Sequence, residues 1–165
     1  MTSILKVSEI QDPTNSNTAL TIDANGNVNI PGHVVQVVNS LLTGGVSNSS
    51  GSYADTGLTA SITPTSSSNK ILVLVNLTSL ESNTASEGGN VKLVRDATDL
   101  SEWGRFMGYT RVYMTNHPSI SYLDSPATTS STTYKVQFVR GQGSGTLNLN
   151  ANTATSSMTL MEIAQ

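Results

Sequence analysis

Apolar and polar positions alternate with period two along most of the chain, in short runs cut by Gly, Pro, Ser and Asn clusters. Successive side chains of a strand point to opposite faces, so this pattern predicts half-buried β-strands. The first alternations are Ile4-Leu5-Lys6-Val7, Leu20-Thr21-Ile22 and Val28-Asn29-Ile30. A register can be derived for the last two. A two-residue Asn25-Gly26 turn would set Ile22 against Asn29 and split the apolar residues between faces. A three-residue loop, Ala24-Asn25-Gly26, pairs Ile22 with Val28 and Leu20 with Ile30. It puts all four on one face and gives Gly26 the left-handed position of a G1 bulge. That second register is the one expected. It leaves a ribbon with one uncovered apolar face, and a hairpin of this size is marginal alone in water.

Pro31-Gly32 ends the ribbon, and the alternation resumes in a longer second segment. Val34-Val35-Gln36-Val37-Val38 disfavours helix and reads as a strand buried on both sides, extended by Leu41 and Leu42. Residues 43–52 read as a loop. Leu58, Ala60 and Ile62 alternate up to Pro64. Residues 70–80 form the strongest strand pattern, with Ile71, Val73, Val75 and Leu77 on one face and Leu72 and Leu74 on the other. Gly88-Gly89 marks a turn before Val91-Lys92-Leu93-Val94. Between Arg95 and His117 the pattern loosens. It returns at Ile120-Ser121-Tyr122, Tyr134 to Phe138, Leu147-Asn148-Leu149 and Met158 to Ile163, with Gly141, Gly143 and Gly145 punctuating a turn. No stretch shows a 3.6-residue period with helix caps. About eight or nine strands at intervals of roughly ten residues indicate an all-β sandwich or jelly roll. The expected division is residues 1–32 as an N-terminal β-hairpin stem or anchor and residues 33–165 as a jelly-roll head.

Composition narrows the classes. The 165 residues contain no Cys, so a disulfide framework and a thiolate metal site are excluded. The low 12% of charged residues would suit neither a disordered chain nor a nucleic-acid surface, and the net charge of −3 argues against an anionic membrane partner as well. No basic segment followed by an apolar one opens the chain, so no secretory signal is read. The longest apolar run, Ile71 to Val75, is far too short to span a membrane.

Candidate chemistry is sparse. Asp23, Asn25 and Asn27 begin like a calcium loop, but Val28 and Val34 stand where Gly and Glu are required. The glycines at 141, 143 and 145 lack the helix and Lys of a phosphate loop. His33 and His117 each stand outside any ligand spacing. No Gly-x-Ser-x-Gly elbow marks a nucleophile. Asp96, Asp99 and Glu102 read as turn and cap residues more readily than as a cation site or a glycosidase pair. No catalytic site, metal site or cofactor is expected. One stretch has binding character: Trp103, Arg105, Tyr109, Arg111 and Tyr113 gather aromatics and arginines in a loop, as protein- and glycan-binding surfaces do. The alternative use of Trp103 and Phe106 is to plug one end of the sandwich.

These segments also carry a resemblance. Residues 3–12, residues 19–28 and Ile30-Pro31-Gly32 resemble the amino-terminal segment of virion structural and tail-fibre proteins of marine tailed bacteriophages. Residues 61–65 with 69–73, 122–126 with 133–137, and 158–163 are similar to the carboxy-terminal domain of the same proteins, while roughly 84–118 is unmatched. The resemblance implies a homotrimer whose heads are jelly rolls similar to the C1q and tumour-necrosis-factor type, attached to the particle through the amino-terminal segment. Three copies around an axis would cover Leu20, Ile22, Val28 and Ile30. The leading expectation is therefore a non-enzymatic trimeric phage fibre, folded in the host cytoplasm and placed on the virion exterior. It would attach to other virion proteins by its N-terminal segment and present the head to a host-surface glycan or protein. The alternatives are a capsid decoration or cement protein and a carbohydrate-binding module of a secreted protein. Whether the N-terminal strands pair with their own head, with sister chains or with another virion protein stays open at this level; sister chains are favoured.

Overall fold

The computed structural model describes residues 7–11, 18–22, 24, 26, 28–82, 88–104, 114–141 and 145–165. It is an all-β molecule. The N-terminal stem holds β1 (Glu9–Gln11), β2 (Thr18–Ile22) and β3 (Val28–Asn29) in one antiparallel sheet, ordered β1-β2-β3. Ile22 lies opposite Val28 and Thr21 opposite Asn29, the register that the three-residue loop demands, and Gly26 has φ +85°. Of the strand expected at residues 4–7, all but Val7 lies outside the described residues; β1 pairs with β2 and sets Ile10 opposite Leu20.

The head begins at β4 (Val34–Leu42) and continues through β5 (Val46–Asn48), β6 (Ala54–Ile62), β7 (Lys70–Asn76), β8 (Leu80–Ser82), β9 (Gly89–Arg95) and β10 (Thr98–Trp103). It ends with β11 (Met114–Asn116), β12 (Ser119–Asp124), β13 (Thr132–Arg140), β14 (Leu147–Leu149) and β15 (Ser156–Ile163). One sheet runs β12-β7-β15-β4 and the other β10-β9-β13-β6. Apart from the β9–β10 hairpin, every step between successive long strands crosses from one sheet to the other. This is the winding of a jelly roll. Alternation places Leu58, Ile62, Ile71, Val73, Val75, Leu93, Val136, Phe138, Met158 and Leu160 inside, almost fully buried. Each such side chain contributes about 1.5–3 kcal/mol relative to exposure.

A third sheet, β11-β8-β14-β5, has the same order as β12-β7-β15-β4, because each short strand adjoins its long counterpart in sequence. The four strands therefore break together, and the broken ends are tied by hydrogen bonds. Asn150, buried with φ 56°, donates through Nδ2 to Leu42 O at 2.6 Å and accepts from Ser156 Oγ at 2.5 Å. Thr78 N donates to Ser156 Oγ at 2.9 Å, and Leu77 N donates to Pro118 O at 2.9 Å. Buried polar groups held this way leave few donors orphaned where the ladder stops.

Four expectations are corrected. The 34–38 segment is not buried on both sides: Val34 is 46% and Val37 56% exposed. Their outward phase finds no second layer within the described residues. The loop expected at 43–52 contains β5, and the single strand expected over 70–80 is split into β7 and β8. The loosened stretch after Arg95 contains β10, where Asp99 and Glu102 are strand residues; Asp96 alone sits in the turn, at φ 52°.

Candidate functional site

The two outer faces of the sandwich are chemically unlike. On β10-β9-β13-β6 the register aligns Glu102, Lys92, Gln137 and Asp55 across all four strands. Lys92 Nζ reaches Asp99 at 2.9 Å and lies 4.4 Å from the Tyr53 ring centroid. Asn90 Nδ2 donates to Glu102 at 2.7 Å, Gln137 Nε2 to Asp55 at 2.6 Å, and Lys135 Nζ sits 3.1 Å from Asp55. The Gln137 hydrogen bond, with Lys135 beside it, holds the Asp55 carboxyl below its ordinary range. The neighbouring Tyr53 phenol and the Asn90 amide do the same for Glu102. Burial first, then the Glu102 carboxylate, pushes the Tyr53 phenol up. This is a charged surface.

On β12-β7-β15-β4 the outward row is Val37, Met161, Leu72 and Leu123, apolar from edge to edge. Val37 is 56% and Leu123 52% exposed, and Leu41 on the same face is 61% exposed. The adjacent row is Asn39, Thr159, Leu74 and Ser121, uncharged.

The sequence-derived binding residues fall as follows. Trp103 ends β10, opposite Val91, and is half-buried and packed against the core. Arg105, Tyr109, Arg111 and Tyr113 lie outside the described residues, as does Phe106. Of the residues expected to pack in a trimer, Ile22 faces Val28, Leu20 and Ile22 are half-buried, and Val28 and Ile30 are 47% and 43% exposed. Pro31, Gly32 and His33 link the N-terminal sheet to the sandwich. Gly32 N donates to Ala164 O at 2.8 Å, Ala164 N to His33 O at 3.0 Å, and His33 N to Ile30 O at 3.1 Å.

Two buried carboxylates were missed. Asp124 and Glu162 flank Ile71 in one inward row, in phase with Ile120 and Leu160. A charged residue in phase with core residues was the available signal. Both are engaged structurally. Asp124 accepts from Arg95 Nη1 at 2.7 and 2.9 Å and from Tyr134 Oη at 2.7 Å. Burial and that carboxylate push the Tyr134 phenol well up. For Arg95, burial is the largest single effect and acts downward, but the Asp124 hydrogen bond and charge, with the charges of Tyr134 and Asp96, together outweigh it and the guanidinium is raised. Glu162 accepts from Gln36 Nε2 at 2.6 Å, Asn69 Nδ2 at 2.7 Å, and Thr65 N and Oγ1 at 2.7 and 2.8 Å. Burial alone would raise its pKa; the donors Asn69, Gln36 and Thr65 prevail and lower it. Among the described residues no group of three or more His, Cys, Asp or Glu side chains is placed to hold a metal ion. One open groove of about 300 Å³, lined by Gly45, Val46, Ser47, Asn148, Leu149 and Ala151, carries no charged group. Compared with known protein families and with curated proteins, the chain matches none significantly.

Proposed function

We propose that this chain is a non-enzymatic structural protein of a tailed-phage virion: a homotrimeric fibre that attaches through its N-terminal stem and presents a jelly-roll head to the host surface. The observation that carries the reading is the stem itself. Ile10 and Val28 in its strands and Ile30 just after β3 are 46, 47 and 43% exposed, and a sheet with one uncovered apolar face is not stable as an isolated ribbon. Cover supplied by sister copies makes the segment an assembly device, the role that its resemblance to fibre amino-terminal segments implies. The jelly-roll winding of the head is the second support, since it is the fold which that resemblance leads one to expect.

The test is direct. Light scattering on the purified chain is expected to return the mass of three copies, and a stable monomer overturns the reading. Labelled antibody against the chain is expected on the tail of intact particles. Labelling of the capsid lattice instead replaces the fibre with a decoration protein.

A further inference from the structure

We infer that the joint between the N-terminal sheet and the sandwich is an acid-operated latch: the buried Glu162 carboxylate holds it shut, and protonating that carboxylate frees the N-terminal sheet while the sandwich stays folded. The latch is independent of the fibre reading, since it concerns how two parts of one chain are held together.

The link closes on the residues just beyond β15. Gly32 N donates to Ala164 O at 2.8 Å and Ala164 N to His33 O at 3.0 Å, and Ala164 is buried. The next residue is pinned from the other side, since Gln165 N donates to Asn69 Oδ1 at 3.2 Å. Asn69, also buried, donates its amide Nδ2 to Glu162 at 2.7 Å. One path from the carboxylate to the link thus runs Glu162, Asn69, Gln165, Ala164. A second is shorter. Gln36, three residues past His33 on β4, donates Nε2 to Glu162 at 2.6 Å and to Thr63 O at 2.7 Å. A fully buried carboxylate therefore ties both flanks of the joint, the start of β4 and the 63–69 turn on which Gln165 rests.

The chemistry of the carboxylate makes the tie reversible. Glu162 Oε1 accepts from Thr65 N, Thr65 Oγ1 and Asn69 Nδ2, and Oε2 accepts from Gln36. An ionised carboxylate only accepts and suits four donors; a protonated one brings a donor of its own among them. Oε2 has the single bond and takes the proton, so the Gln36 amide must turn over, and its nitrogen then leaves Thr63 O. The bonds on Oε1, Asn69's included, lose their charge assistance. Among the described residues no cation pairs with Glu162 to offset this. The charged and titratable groups on the neighbouring elements have other places. Lys70 stands opposite Ile163, out of phase with the inward row. Asp124 lies beyond Ile71 in that row and is held by Arg95 and Tyr134, while the His33 ring accepts from Ile30 N. The sandwich itself is closed by buried apolar side chains such as Leu58, Val73, Phe138 and Leu160, which do not respond to this proton, so the opening is local.

Amide hydrogen exchange on the full chain reads the latch directly, as protection factors that divide out the intrinsic effect of pH. In Glu162→Gln at pH 7, the Gly32 and Ala164 amides are expected to lose protection about tenfold or more, with the paired central residues Val73 and Leu160 unchanged. In the wild type the same two amides are expected to lose protection as pH falls below 4.5, because the donors hold the carboxyl beneath that ordinary value. The same fall in His33→Asn assigns it to Glu162 and not to the other titratable group at the joint. Asn69→Ala keeps the carboxylate and cuts the path to Gln165, so it is the second variant should Glu162→Gln unfold, and its expected pattern at pH 7 is the same. Gly32 and Ala164 amides that keep wild-type protection in both variants overturn the latch. So does a loss that reaches Val73 and Leu160 equally in both, since the opening is then global. A fall with pH that disappears in His33→Asn overturns the assignment to Glu162.

Discussion

Tyr134 on β13 donates its hydroxyl to Asp124 on β12 at 2.7 Å, joining the two sheets through the interior. Arg95 on β9 completes the contact from the same sheet as Tyr134. A carboxylate only 6% exposed is tolerated because a guanidinium and a phenol both face it. Removing the two partners is therefore unequal. Tyr134→Phe leaves Asp124 with its cation and is expected to cost about 1–2 kcal/mol. Arg95→Met strands a buried charge and is expected to cost roughly 3 kcal/mol or more. Urea denaturation of the two variants checks the order, and equal losses would remove the ion pair from the account.

Glu162 makes a different prediction, because no cation faces it among the contacts that hold it. Its folded pKa lies below the ordinary 4.5, lowered by Asn69, Gln36 and Thr65 against burial. A depressed carboxyl stabilises the fold fully above its unfolded pKa, and that contribution is lost as pH falls through the folded one. Glu162→Gln keeps the shape but turns an acceptor oxygen into a donor facing other donors, at a cost of about 2 kcal/mol at pH 7. The gap between wild type and variant is expected to narrow steadily below pH 4.5, read from denaturant midpoints at a series of pH values. A gap that stays constant down to pH 2 would mean the carboxylate's charge has no part in it.

The period-two pattern read the core well where both members of a strand's alternation were decided within the chain. Ile71, Val73 and Val75 are buried while Leu72 and Leu74 are only half-buried, and Ile22 meets Val28 in the derived register. It failed at Val34 and Val37, whose apolar character was taken as burial on both sides. A side chain's hydrophobicity states that it gains from cover, and says nothing of whether the cover is in the same chain. It also failed to mark the common break in four strands, since Asn150, Ser156 and Thr78 meet there from distant positions. Of the loop proposed for binding, Trp103 alone can be placed.

That break supplies the third prediction. Asn150 combines a positive φ of 56° with side-chain bonds to Leu42 O and Ser156. Asn150→Gly removes the bonds and keeps the backbone easy; Asn150→Ala removes both advantages. The expected losses are about 1–2 kcal/mol for glycine and roughly 1 kcal/mol more for alanine. Thermal melts in either order test whether the backbone conformation matters beyond the hydrogen bonds.

Gly89 at the start of β9 is fixed by space. A Cβ there would overlap Leu147 Cδ2 and lie 2.9 Å from Val139 O. The Leu147 side chain can rotate, but the carbonyl belongs to the neighbouring strand. Gly89→Ala is expected to destabilise by about 1–3 kcal/mol. Leu147→Ala in the same background is expected to recover none of the part due to Val139 O, because that contact is with backbone.

Trp103 carries the last prediction, since core packing and the proposed receptor binding make opposite demands on it. It lies opposite the fully buried Val91, with its ring against the core cluster. Trp103→Ala is expected to lower stability by about 2–4 kcal/mol, and Trp103→Phe by less, because the ring fills most of the same space. A loss of adsorption on alanine substitution would then mix unfolding with lost contact. The separation comes from measuring adsorption per folded molecule, well below the melting temperature, for the phenylalanine and alanine variants together. If adsorption per folded molecule is unchanged in both, Trp103 plugs the sandwich and binding belongs elsewhere in the chain. A tenfold or greater fall in the phenylalanine variant, whose fold is kept, places the indole in contact with the receptor.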